Sequence, residues 1–211
     1  MNNFLRTAFV LAVCLFSGCL SRPGLHTQSF VFATPSVSAR HPDPPGRRVA
    51  IRSLRVAAPF DSRSFVYRTS EYSYESDPYA EFLVPCSESL LYPIRGWMRQ
   101  CGCFESVVEP GSAVKPNTVL EISVTELYGD FRKPRDAAAV LALKMTLLDA
   151  SNGIAGKLVF EREYSRLLPL KARTAGALMA GWNGALGQIL DQFGADVRSL
   201  ESTAANENKP N

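Results

Sequence analysis

Cys101-Gly102-Cys103 is the most chemically suggestive spacing in the chain, since paired thiols can form a disulfide or bind a soft metal. Neither role finds support nearby. The only histidines, His26 and His41, lie in or near a loop-like N-terminal stretch, leaving no His-rich metal site and no Ser-His-Asp set. A bridge from Cys86 to Cys101 would have to cross fifteen residues of continuous helix, about 22 Å at 1.5 Å per residue, far beyond disulfide reach. Both cysteines fall on the apolar side of that helix, so buried free thiols are expected. Gly153-Ile154-Ala155-Gly156-Lys157 is too short for a phosphate loop and lies between two strands, which makes it a hairpin turn. No nucleophile-elbow, zinc-protease or dinucleotide motif occurs. The charged groups Glu71/Glu75, Glu161/Arg162/Glu163 and Arg132/Lys133/Arg135 read as solvated strand and turn faces. The chain is expected to be non-catalytic, with no metal and no cofactor beyond a covalent lipid.

That lipid comes from the N-terminus. Arg6 is a short basic region and Ala8–Phe16 a short apolar run, sized for a secretory signal and too short to span a bilayer. Leu15-Phe16-Ser17-Gly18-Cys19 follows, with small residues where a signal peptidase needs them and a cysteine directly after, which resembles the lipobox of bacterial lipoproteins. Cys14 is a poorer acceptor because branched Val13 precedes it. Cys19 is therefore the expected lipidation site. Acyl chains contribute about 0.8 kcal/mol per buried methylene, enough for stable anchoring. Leu20 and Ser21 follow, rather than the aspartate that often retains lipoproteins in the inner membrane. The expected location is the periplasmic face of the outer membrane.

The elements behind these residues fit one domain of α+β class: a mostly antiparallel sheet packed by two amphipathic helices. The expected organisation is a signal peptide over 1–18, a lipidated linker over 19–27, the folded domain over 28–201 and a disordered polar tail over 202–211. Short strands are expected at Ser29–Ala33, from Val49 to Val56, at Phe65–Arg68 and at Glu71–Tyr74. Asp77-Pro78 has the form of a helix start. From it Tyr79, Leu83, Cys86, Leu90, Ile94, Trp97 and Cys101 recur every three or four residues on one helical face, ending at Gly102. Pro85 and Pro93 would bend or break that helix. Thr118–Tyr128, Ala138–Asp149 and Gly156–Ser165 predict three long strands in an antiparallel meander. A final helix carries the stripe Leu178, Trp182, Leu186, Ile189, Phe193, Val197 and Leu200.

On that last helix Gly176, Ala180, Gly184, Gly187 and Gly194 project opposite to the stripe. Each glycine costs roughly 0.8–1.0 kcal/mol relative to alanine, so this side reads either as an unoptimised surface or as a face for a partner or second copy in a homo-oligomer. On the second reading, Gly184→Arg leaves folding intact and disrupts assembly. The net charge of +3 marks no nucleic-acid or anionic-membrane patch.

The succession of lipobox, Val49–Ala57, Pro59-Phe60-Asp61, Ser64-Phe65-Val66-Tyr67-Arg68, a Tyr/Glu-bearing strand and an amphipathic helix resembles the ABC-type transport auxiliary lipoprotein family, best known from PqiC-type lipoproteins. Asp61 and Val66-Tyr67-Arg68 match its compact motif, and the similarity in element order covers roughly residues 28–200. The resemblance implies a sheet flanked by two helices and no catalytic residues. It also implies service to a mammalian-cell-entry (MCE) type lipid transport system, with an MCE-domain bridging protein and an inner-membrane ABC transporter as partners. A structural or assembly lipoprotein of a secretion or lipopolysaccharide-export-like complex is the alternative.

Overall fold

The computed structural model describes residues 26–37, 46–151 and 156–207; Cys14, Cys19 and His41 lie outside them. One mixed sheet of eight strands carries two helices, a single α+β domain. In chain order the elements are β1 (Gln28–Phe30), β2 (Arg48–Val56), a 3-10 turn (Ala58–Phe60), β3 (Ser64–Arg68), β4 (Tyr74–Phe82) and α1 (Cys86–Gln100). There follow β5 (Ser106–Val107), β6 (Thr118–Asp130), β7 (Ala138–Asp149), β8 (Lys157–Pro169) and α2 (Ala175–Glu207).

The expected meander is present, with β6 pairing β7 and β7 pairing β8 along almost their full lengths, all antiparallel. The other edge of β6 takes two strands in parallel: β2 along Thr118–Val124, and the end of β3 at Gly129 and Asp130. β4 adds antiparallel to β3, and β1 adds parallel to β4. These parallel pairings join segments distant in sequence, and no local pattern announces them.

Both helices lie on one face of the sheet, and their apolar stripes make its core. From α2, Leu178, Trp182, Leu186, Ile189, Phe193 and Val197 are all fully buried. The Trp182 ring stands edge-on to Phe65 at 4.8 Å, and its Nε1–H donates to the carbonyls of Val140 (3.1 Å) and Tyr128 (3.4 Å). From α1, Leu90, Ile94 and Trp97 complete the layer. Residues 31–37 run across the two helices. Phe32 stacks on Phe82, the Ala33 amide donates to Asn183 Oδ1 at 2.8 Å, and Thr34 sits against bare Gly96.

The first helix starts later than its spacing predicts. Asp77, Pro78 and Tyr79 belong to β4, and α1 begins at Cys86 after Pro85. Pro78 has no N–H for a sheet ladder, and it falls within the irregularity of the β3–β4 register between Ser76 and Glu81. Asp77 caps no helix; its carboxylate accepts from the Tyr67 hydroxyl and from the Tyr79 amide. Tyr79 and Leu83 are accordingly exposed, while Cys86 onwards keeps the predicted buried face. Pro93 is accommodated within a single helical element, buried side inward. Gly102, at φ +67°, follows the helix end as expected of a glycine just past a C-terminus.

Two smaller expectations also shift. Glu71 to Ser73 form a turn rather than a strand, closed by the Thr69 amide on the Ser73 carbonyl. The last helix continues to Glu207, past position 202 where the polar tail was expected to begin.

Candidate functional site

β3, which carries Val66-Tyr67-Arg68, sends its residues to opposite faces of the sheet, as strand geometry requires. Phe65 enters the helix-side core. Tyr67, on the same side, stacks on Phe131 at 4.7 Å and donates its hydroxyl to Asp77 Oδ2. Burial and the adjacent Asp77 carboxylate hold the Tyr67 phenol above its ordinary pKa, so it stays a neutral donor that ties β3 to β4. Val66 and Arg68 face the other way. Asp61 follows the 3-10 turn, exposed and apart from this group. The motif is thus one strand with two jobs, rather than one cluster.

On the open face Arg68 meets an aromatic group. Its guanidinium lies 5.7 Å from the Tyr74 ring centre, bonds to the Glu71 carbonyl at 2.8 Å, and also interacts with the Tyr128 hydroxyl. Tyr128 stacks on Phe60 and receives Tyr74 edge-on, each at 5.6 Å. At the end of β6, Asp130 is gripped by Arg132 through Nε (2.9 Å) and Nη2 (2.6 Å). This fork is the geometry that favours a carboxylate most strongly. Next to it is a cavity of about 490 Å³ lined by Asp130, Arg132, Lys133, Asp136, Ala138 and Leu167.

Sequence reading missed this cavity and treated Arg132/Lys133/Arg135 as a solvated turn. The turn is exposed, yet Arg132 is committed to Asp130. The Arg132 hydrogen bonds hold the Asp130 carboxyl below its ordinary pKa. Stability from this carboxylate is therefore full above the unfolded value of about 3.9 and is lost as pH falls through the lower folded value. Asp130→Asn should flatten the loss of stability below about pH 4, seen as a urea midpoint that changes less with acidification than that of the wild type.

The three described cysteines, Cys86, Cys101 and Cys103, are buried. Cys86 opens α1 and Cys101 follows its last turn, so the intervening helix keeps them apart as expected. Burial pushes the Cys86 thiol up to about 12, which keeps it protonated and unreactive. Cys101 and Cys103 lie together: the Cys103 amide donates to Cys101 Sγ at 3.1 Å, and Arg198 Nη1 donates to Cys103 Sγ at 3.4 Å. Among the described residues no group of three or more His, Cys, Asp or Glu is placed to hold a metal ion.

The glycine-rich side of α2 divides. Gly176 and Ala180 are exposed, and nothing lies within 4 Å of where a Gly176 Cβ would be. Gly187 is covered by the chain itself, where an added Cβ would lie 3.5 Å from Pro35. Gly194 is buried between the helices, where a Cβ would come within 2.9 Å of the Trp97 ring and 3.0 Å of Cys103 Sγ. It is a helix-crossing glycine and leaves the outward face, because the crossing of α1 broadens the buried arc of α2. At exposed Gly184 an added Cβ meets only the tip of the Leu168 side chain, at 3.0 Å. Gly184→Arg should therefore fold, with a melting temperature close to wild type; a size-exclusion shift would show whether this face assembles.

The arrangement is a two-helix, open-faced α+β domain with paired charges and aromatics on the bare face. No protein-family model matches the chain, and no curated protein matches it. Solved structures share the fold. Protein XCC0632 from Xanthomonas campestris, described under the family model DUF330, superposes with a TM-score of 0.69 at 16% identity, covering 86% of this chain and 100% of that one. A second, an uncharacterized protein, gives a TM-score of 0.53 at 16% identity over 77% of this chain and 97% of its own.

Proposed function

We propose that this chain is a lipid-anchored, non-catalytic accessory protein of an MCE-type lipid transport system, tethered through Cys19 to the periplasmic face of the outer membrane. The observation that carries the reading is the combination of a lipobox with Val66-Tyr67-Arg68 on a strand in the middle of a sheet that bears two helices on one face. That is the architecture implied by the auxiliary-lipoprotein resemblance. No helix among the described residues is long and apolar enough to cross a membrane, which fits attachment through an acyl chain. In this role the domain docks the bridging MCE protein or receives its lipid, with the ABC transporter at the inner membrane.

Purification of native complexes from solubilised envelopes is the test. The reading expects an MCE-domain protein and its ABC permease to co-purify with the wild-type chain. Cys19→Ser should abolish palmitate labelling and leave no membrane association that resists high salt. Recovery of secretion or lipopolysaccharide-export components instead would assign it to an assembly complex, and an unlabelled wild-type protein would remove the anchor.

A further inference from the structure

Strand register sets which loops share an end of the sheet. Arg68 pairs with both Tyr74 and Asp130, Asp130 pairs with Ala138, and Ala138 pairs with Pro169. The loops 131–137 and 170–174 therefore leave the sheet side by side. They are joined directly: the Leu170 amide donates to the Ala137 carbonyl at 2.8 Å, and the Arg173 guanidinium lies 4.5 Å over the Phe131 ring. Together they bring Arg132, Lys133, Arg135, Lys171 and Arg173 to one end, all exposed, against the carboxylates of Asp130 and Asp136. Acidic side chains at this end, Glu71 and Glu75, belong to the β3–β4 hairpin, so the positive excess lies over β6 to β8.

The first strand of the sheet opens towards the same end. β1 runs parallel to β4 with Gln28 beside Ala80, so its N-terminal end points towards the Tyr74 end of β4. Gln28 stands nine residues after Cys19, a reach of about 30 Å even when fully extended. A lipid on Cys19 would be within that reach of this end of the sheet, which lies six residues along β4 from Ala80.

We propose that this end of the sheet is a membrane-docking surface whose basic loops take anionic phospholipid headgroups. The phosphates sit over Lys133, Arg135 and Lys171, at the mouth of the cavity beside Arg132. Leu167, 59% exposed on its wall, offers an apolar contact to the glycerol and upper acyl region. The orientation rests on the anchoring proposed above; the charge cluster does not. Each Lys or Arg near an anionic surface adds a modest attraction that falls off within a screening length. The loops thus orient a domain that the acyl chains already retain, leaving the opposite end to project into the periplasm.

The test separates the two readings by using protein without lipid. A chain starting at residue 19 with Cys19→Ser keeps every residue of the hydrophobic core, which runs from Phe32 to Val197. It should co-sediment with vesicles of equimolar phosphatidylglycerol and phosphatidylcholine, and not with phosphatidylcholine alone. Binding should vanish as salt approaches 1 M, where the screening length is about 3 Å. The variant Lys133→Glu/Arg135→Glu/Lys171→Glu should lose at least about tenfold in apparent affinity with an unchanged melting temperature, since all three side chains are exposed. Equal binding to neutral vesicles, no binding to anionic ones, or undiminished binding by the charge-reversed variant would each overturn the proposal. None of these outcomes depends on whether Cys19 is acylated in cells.

Discussion

Trp182→Ala should remove a large share of the protein's stability. The indole is fully buried, touches Phe65 and Phe82, and donates to carbonyls on both β6 and β7. Truncating a buried Trp to alanine costs about 3–5 kcal/mol, against a total stability of roughly 5–15 kcal/mol for a domain. Loss of the indole donor adds to this wherever a carbonyl is left without an equivalent partner. A urea melt followed by far-UV circular dichroism reads the result, as a collapsed midpoint or no cooperative transition. Trp182→Phe separates the two terms. It keeps most of the ring contacts and loses the N–H, so its midpoint should fall between those of wild type and Trp182→Ala.

Gly194→Leu should be the second most damaging change, for the opposite reason. No space exists for a side chain there, since Trp97 and Cys103 are themselves buried and cannot swing outward. Overpacking of this kind costs about 1–3 kcal/mol, and more where two helices must separate. At about 2–4 °C per kcal/mol for a domain of this size, the melting temperature should drop by several degrees. Gly176→Ala is the internal contrast. The space around Gly176 is open, and alanine gains up to about 1 kcal/mol of helix propensity, so this variant should melt at or slightly above wild type. Both glycines looked alike when read from helical spacing; a melting experiment should split them in opposite directions.

That split shows where periodicity stops being informative. Helical spacing located the apolar stripe of α2, and Leu178, Trp182, Leu186, Ile189, Phe193 and Val197 are all buried. It said nothing of how wide the buried arc is, because that width depends on where α1 crosses. The same limit governs the start of α1. Asp77-Pro78 satisfies every local rule for a helix opening, but residues on both sides of it pair with β3, and Ala80 to Phe82 pair with β1. Sheet pairing with distant segments outweighs a local cap worth about 1 kcal/mol.

The candidate site was legible only in pieces. Val66-Tyr67-Arg68 could be singled out as a run, while its division between an internal lock on Asp77 and an aromatic group on the open face depends on which strands flank β3. The Arg132–Arg135 turn and the Lys171–Arg173 segment each look like ordinary solvated charge, and a net charge of +3 over the whole chain conceals their meeting.

From the order of its residues alone, this protein's long strands, its two amphipathic helices and the burial of Cys86 and Cys101 could be read, because each is encoded within a short window by periodicity or by adjacent residue types. Tertiary structure alone decided the parallel pairings to β6, the burial of Gly194, the threading of residues 31–37 over the helices and the gathering of basic loops at one end of the sheet. These depend on contacts between residues tens of positions apart. Such contacts are selected by the summed packing of the whole core, and no local segment carries a record of that sum.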